Sequence, residues 1–219
     1  MDSAVSLAQA RADGMECYAL TIAYGQRHAC ELEAAARVAQ SLGAREQRVV
    51  SVDLRALGGS ALTDDIAVPK LRSEAEIGRG VPSTYVPARN TVFLSIALGY
   101  AELVGAHAIY LGINAIDYSG YPDCRAEFLA AFQALAQLAT ASGAERGERL
   151  ELRAPLVRMS KREIVLRGVE LGVDFALTHS CYDPQRRGER WLACGSCDAC
   201  QLRLAGFRAA GLVDPIEYV

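Results

Sequence analysis

The sequence has no apolar run of the length that a bilayer crossing requires, so no membrane span is expected. It has no excess of positive charge either. Its 23 Lys and Arg stand against 26 Asp and Glu, a net charge of −3, which argues against a broad nucleic-acid surface. The densest basic cluster is Arg186, Arg187 and Arg190. Neither an internal repeat nor a low-complexity tract is visible, and nothing reads as a signal peptide. The 7 cysteines are therefore expected in a reducing cytoplasm, where metal binding outranks disulfides.

What is present starts with those cysteines. Cys194, Cys197 and Cys200 stand at two successive C-x-x-C spacings that overlap through Cys197, and Cys181 lies upstream on a stretch long enough to fold back. Four thiolates in one short segment suit a tetrahedral Zn²⁺ site, closed to water and so structural. A redox C-x-x-C or a disulfide staple is the alternative. Cys17 and Cys30 sit in apolar stretches and read as small buried hydrophobes.

With 51% hydrophobic residues the chain can bury one core and carry a small appendage. Residues 2–13 read as a helix capped by Asp2 or Ser3 and ended by Gly14. Strands are expected at 17–23, 48–52, 108–113 and 150–155, and helices at 27–42, 89–105, 126–142 and 160–171. The last of these helices carries a capping box, Ser160 with Glu163. A short helix follows Cys200, and residues 54–84 read as a long loop over a site. Alternating strands and helices predict an α/β fold with a doubly wound parallel sheet over residues 1–178, and a zinc-binding segment over 179–219. Such folds ordinarily open with a strand and a phosphate-binding turn, whereas this sequence goes straight into a helix.

Several stretches carry a resemblance: Tyr24-Gly25-Gln26-Arg27-His28 with Glu31, Val86-Pro87-Ala88-Arg89-Asn90, the run from Gly112 to Arg125, Ser180-Cys181-Tyr182, and the Cys194–Cys200 knuckle. Together they resemble the 7-cyano-7-deazaguanine synthase family of queuosine biosynthesis, within the ATP pyrophosphatases. The likeness covers nearly the whole chain. The group's S-G-G-x-D-S loop survives only as Met1-Asp2-Ser3, without the serine and glycines that let backbone N–H groups approach phosphate. The sheet would then lack its middle member. Two readings stay open: Met1 is an internal position of a longer protein, or the chain is a defective paralogue acting as a partner subunit.

The resemblance implies adenylation of 7-carboxy-7-deazaguanine by ATP, amide formation with ammonia, then a second activation that gives the nitrile. It implies Mg²⁺ beside the ATP, a cytoplasmic location and a homodimer, with no direct nucleic-acid partner. Asp2 and Ser3 would face the phosphates, or merely cap their helix. Tyr24, Gly25 and Gln26 follow a strand end and are expected to bind adenine. His28 reads as a helix-start hydrogen bonder rather than a base. Lys161 and Arg89 are cations at helix starts, unfavourable for the dipole unless an anion is bound, and are the catalytic candidates. Asn90, Asp117, Tyr118, Tyr121, Asp123 and Arg125 offer the carboxylates, aromatic faces and cation that a carboxylated deazaguanine needs. Two rivals from other classes are a zinc-containing nucleic-acid module and a tRNA-thiolating relative, which would need a reactive low-pKa thiol.

Overall fold

The computed structural model describes residues 1–27, 30–77, 80–114 and 121–219. The expected Asp117, Tyr118 and His28 lie outside these residues. The chain opens with α1 (Asp2–Ala12), β1 (Tyr18–Ala23), α2 (Cys30–Ser41), β2 (Glu46–Ser51) and a single helical turn, α3 (Glu74–Ile77). Then come α4 (Arg89–Val104), β3 (Ala108–Tyr110), α5 (Ala126–Ala139), α6 (Ala141–Arg146), β4 (Glu151–Arg153) and α7 (Lys161–Glu170). A hairpin, β5 (Gln185–Arg187) and β6 (Arg190–Leu192), leads into α8 (Asp198–Ala209).

The fold is α/β with parallel strands. β1 pairs with β2 from Tyr18 opposite Glu46 to Ala23 opposite Ser51, and β3 pairs with β4 from Ala108 opposite Glu151 to Tyr110 opposite Arg153. Among the described residues no strand joins β1 to β3, so the two pairs stand as separate sheets. A cavity of about 870 Å³ lies against both, lined by residues 18–22 of β1, 106–113 around β3, and the facing sides of α1 and α4. The cavity parts the two pairs. It also explains why the apolar run of β1 is only half-buried along its whole length.

Local chemistry accounts for the element ends. Ser160 accepts from the Glu163 N–H while the Glu163 carboxylate accepts from the Ser160 N–H, the capping box expected from sequence. Gly105 closes α4 in the left-handed conformation at φ 67°, which glycine adopts without a Cβ clash. The single helix expected over 126–142 is two, because the Thr140 hydroxyl accepts from the Gly143 N–H and caps a new helix, α6. Asp2 and Ser3 do not cap α1: Met1 occupies that position without a side-chain bond, and Asp2 is the first helical residue. Gly14 is likewise one place beyond the cap, Asp13.

The main core joins α1, α7 and α8 through Val5, Ile164, Val165, Phe175 and Phe207. Phe175 and Phe207 meet edge to face at 5.2 Å. A second core packs α4 against α5 and β3–β4. Residues on both sides of the expected 178/179 boundary thus share one core. Among the described residues no helix is long and apolar enough to cross a membrane.

Candidate active site and metal centre

The β5–β6 hairpin returns the chain to its starting point, which brings Cys194 back to Cys181. Gly195, at φ 69°, then allows the tight turn that carries Cys197 inward. Cys197 precedes α8, and Cys200 lies in that helix's first turn, where the N-terminal dipole favours thiolate charge. The four ligand atoms of Cys181, Cys194, Cys197 and Cys200 lie within 4.8 Å of one another. Backbone N–H groups already point at them. Cys194 donates to the Cys181 Sγ at 3.2 Å, Asp183 to the same sulfur at 3.3 Å, Cys197 to the Cys194 Sγ at 3.3 Å and Tyr182 to the Cys197 Sγ at 3.4 Å. A tetrahedral ion with bonds of about 2.3 Å would set sulfurs roughly 3.8 Å apart, and Cys181 and Cys197 stand at 4.0 Å. The donor set fits a thiophilic metal ion with no position left for water.

A second centre forms where the start of α1 meets the start of α7. Lys161 Nζ donates to Asp2 Oδ2 at 2.8 Å, with side-chain exposures of 8% and 17%. The other oxygen, Asp2 Oδ1, is buried without a hydrogen-bond partner among the described residues. Gly112, just past β3, touches the same helix start so closely that a Cβ would lie 2.6 Å from the Ser3 N and Cα. Asn114, buried, donates to the carbonyls of Leu156 at 3.4 Å and of Met159, which ties the β3 exit to the α7 entrance.

The far wall is built from α4 and residues 121–124 ahead of α5. Ala88 enters α4 in the left-handed region at φ 53°, a strain of about 1 kcal/mol for a residue with a Cβ, and so delivers Arg89 and Asn90. The Arg89 guanidinium lies over Tyr24 and Phe93, 5.6 and 5.8 Å from the ring centres. Burial pushes the Tyr24 phenol up to about 12, with the nearby Glu31 adding to the shift against Arg89. Burial also raises Glu31, against the pull of Arg89. The buried carboxylate of Asp123 accepts from the Asn90 N–H at 2.9 Å, and the Asn90 amide donates to the Asp123 carbonyl at 3.1 Å. Tyr121 shares a hydrogen bond of 3.0 Å with Thr84.

The residues expected to act in the site divide in two. Asp2, Ser3, Arg89, Asn90, Tyr121, Asp123 and Lys161 all line the one cavity. Tyr24, Gly25, Gln26 and Arg125 are not among its lining residues. Gln26 instead closes its own turn, its side-chain oxygen accepting from the Tyr24 N–H at 2.9 Å, while Gly25 holds φ 83°. Arg125 is exposed at the start of α5. Sequence reasoning missed Phe93 and Gly112 as parts of the wall, and Thr84 as the partner of Tyr121 behind it. Only Gly112 had a local signal, a glycine inside an apolar strand pattern, which marks a close backbone approach.

The sequence matches the family described as "Queuosine biosynthesis protein QueC" over residues 1–211. It is 61% identical over 219 residues to the 7-cyano-7-deazaguanine synthase of Aromatoleum aromaticum, covering 100% of this chain and 93% of that protein. It is 57% identical over 218 residues to the enzyme of the same name from Pelobacter propionicus, with 100% and 93% covered. The corresponding Geobacter metallireducens protein is 56% identical over 218 residues, with 100% and 89% covered. A match this long makes this protein a member of the queuosine biosynthesis QueC family.

Proposed function

We propose that this enzyme converts 7-carboxy-7-deazaguanine and ammonia to 7-cyano-7-deazaguanine, driven by ATP, as a ligase that forms carbon–nitrogen bonds. The observation that carries the reading is the convergence of two unlike sets of groups on one cavity. The start of α1, with Lys161 on Asp2 and Gly112 against Ser3, suits phosphate and a hydrated divalent ion. Arg89, Asn90, Asp123 and Tyr121 suit a planar anionic purine analogue. The unpartnered Asp2 Oδ1 is a fitting ligand for Mg²⁺.

In this reading the substrate carboxylate oxygen attacks the α-phosphorus of ATP and diphosphate leaves. The ammonia lone pair then attacks the acyl carbon, the carbon–oxygen bond to AMP breaks, and one N–H proton is lost to give the amide. The amide oxygen attacks a second ATP with loss of diphosphate and a nitrogen proton. Loss of AMP and the last nitrogen proton leaves the nitrile. Lys161 neutralises phosphate charge as it shifts, Arg89 holds the substrate anion, and Asn90 and Asp123 fix each other and the ring edge. Asp117, Tyr118 and Arg125 complete the proposed substrate contacts, and Tyr24, Gly25 and Gln26 the adenine side. Zinc, as the ion of the four-cysteine site, supplies a cross-link rather than reaction chemistry. A homodimer and a cytoplasmic location accompany this reading.

The thiolating alternative wants an activated thiol outside the metal centre. Burial instead pushes Cys30 up to about 12, Cys124 up to about 11, and raises Cys17. The test is to incubate the protein with ATP, Mg²⁺, ammonium and the carboxylate and to quantify nitrile and AMP by mass spectrometry. Nitrile that appears only with ATP, with one AMP for each of the two activations, is expected. ATP-independent nitrile, or none at all, removes the proposal.

A further inference from the structure

The stretch from Val68 to Arg72, in the long segment between β2 and α4, lies directly on the four-cysteine loop. Lys70 forms an isolated antiparallel bridge with Cys197, and the Leu71 N–H donates to the Ser196 carbonyl at 2.8 Å. The Arg72 guanidinium grips Asp198 with two nitrogens, one at 3.0 Å from Oδ1, and the Asp198 carboxylate is 4% exposed. Lys70 Nζ reaches Asp183 Oδ2 at 2.6 Å, and Val68 packs against the cysteine cluster itself. The anchoring groups belong to Asp183, Ser196 and Asp198, each within two positions of a cysteine ligand. Their directions are therefore fixed by closure of the metal site.

Leu71 adds a second observation. It holds φ 56°, a left-handed conformation that is costly for a γ-branched residue, while its side chain is 80% exposed and wins nothing by burial. The bond to Ser196 and its charged neighbours keep it there. The same segment runs on to the candidate site. Ser83 accepts from the Ala61 N–H at 2.8 Å, Thr84 holds the Tyr121 hydroxyl at 3.0 Å, and Leu54, Leu62 and Val86 pack around Tyr24.

We propose that the metal-loaded cysteine loop, through Arg72 on Asp198 and the Ser196 carbonyl on Leu71, orders residues 54–77 and 80–86 and so, through the bond from Thr84, positions Tyr121 for the substrate. The ordering is inferred from these contacts alone. Its consequence for substrate binding rests on the proposed function. Arg72 is a positioning residue in this scheme and touches no reacting atom.

The experiment compares hydrogen exchange of the intact metal-loaded protein, the same protein after chelation, and the variants Arg72→Met and Arg72→Lys. Arg72→Met is expected to keep its metal, by metal analysis, and to exchange about tenfold faster across 54–86 while α1 and α7 stay protected. Arg72→Lys should recover part of the protection, since it restores the charge but not the fork. Chelation should speed exchange in the same segment at least as much. With the carboxylate substrate, Arg72→Met should raise KM about tenfold and change kcat far less. Unchanged exchange in metal-replete Arg72→Met, or faster exchange with an unaltered KM, overturns the proposal. A wild type that makes no nitrile but loosens at 54–86 on chelation would retire the proposed function and leave the ordering standing.

Discussion

Lys161 and Asp2, 159 positions apart, form a salt bridge of 2.8 Å that is almost fully withdrawn from water and joins the first residue of α1 to the first of α7. Both groups stand at helix N-termini. The carboxylate suits that position and the ammonium does not, so Asp2 is what makes a cation tolerable there. Removing one partner strands the other charge in a poor dielectric. Lys161→Met should therefore destabilise the fold by about 3 kcal/mol, and Asp2→Asn by a similar amount, while the double variant should recover much of the sum. Urea unfolding of the four proteins measures this coupling. Activity separates the roles, because the double variant should fold and still form no AMP. AMP formation at the wild-type rate would remove both residues from the phosphate site.

Gly112 allows that junction to exist. A methyl at this position would meet the Ser3 backbone at 2.6 Å, where no side-chain rotation brings relief. Gly112→Ala should cost about 1–3 kcal/mol by overpacking and shift the start of α1. Adding Ser3→Ala should not restore stability, since the Ser3 hydroxyl is not the principal obstacle. Recovery in the double variant would show that the helix start is free to move. Thermal unfolding of the two variants decides the matter.

The contrast between these two contacts shows what was legible in the sequence. Features within a few residues could be read: the Ser160–Glu163 box and the C-x-x-C spacing have local physical causes. The Lys161 reading expected an anionic ligand at the helix start, and nothing in the sequence could say that the Asp2 carboxylate stands there. The β5–β6 hairpin escaped because its strands, Gln-Arg-Arg and Arg-Trp-Leu, are short, polar and without alternation. The same distance hid the grip of Arg72 on Asp198, 126 positions away.

Arg203 and Asp214 make the most buried ion pair described, with side-chain exposures of 1% and 2% and a contact of 2.7 Å. Burial works to raise the Asp214 carboxyl, but hydrogen bonds from Arg203 and Tyr218 outweigh it and hold it below its usual range. A carboxyl depressed in the folded state binds its proton more readily when unfolded. Its stabilisation is then complete above the unfolded pKa near 3.8 and is lost as pH falls through the lower folded value. Wild-type stability should thus drop steeply below about pH 4. Asp214→Asn should start about 3 kcal/mol lower at pH 7, because Arg203 is left buried and unpaired, and show a flatter acid limb. Parallel acid limbs in the two proteins, followed by urea midpoints, would mean that other carboxylates set the slope.

Asp123 has two claims on one carboxylate. The family resemblance suggested a reader of the deazaguanine ring, whereas Oδ2 is engaged by the Asn90 N–H at 2.9 Å at the start of α4. The two roles respond differently to substitution. Asp123→Asn keeps an oxygen that accepts from Asn90, so α4 should hold with a loss under about 1 kcal/mol, as for exchange between good capping groups. Asp123→Ala removes the acceptor and should cost about 1–2 kcal/mol. If the carboxylate also takes N–H donors from the ring, the asparagine loses its charge and one acceptor, and KM should rise about tenfold despite a stable fold. An asparagine variant with wild-type stability and wild-type KM would assign Asp123 to the helix alone. Substrate recognition would then fall to Arg89, Asn90 and Tyr121, which share the same wall.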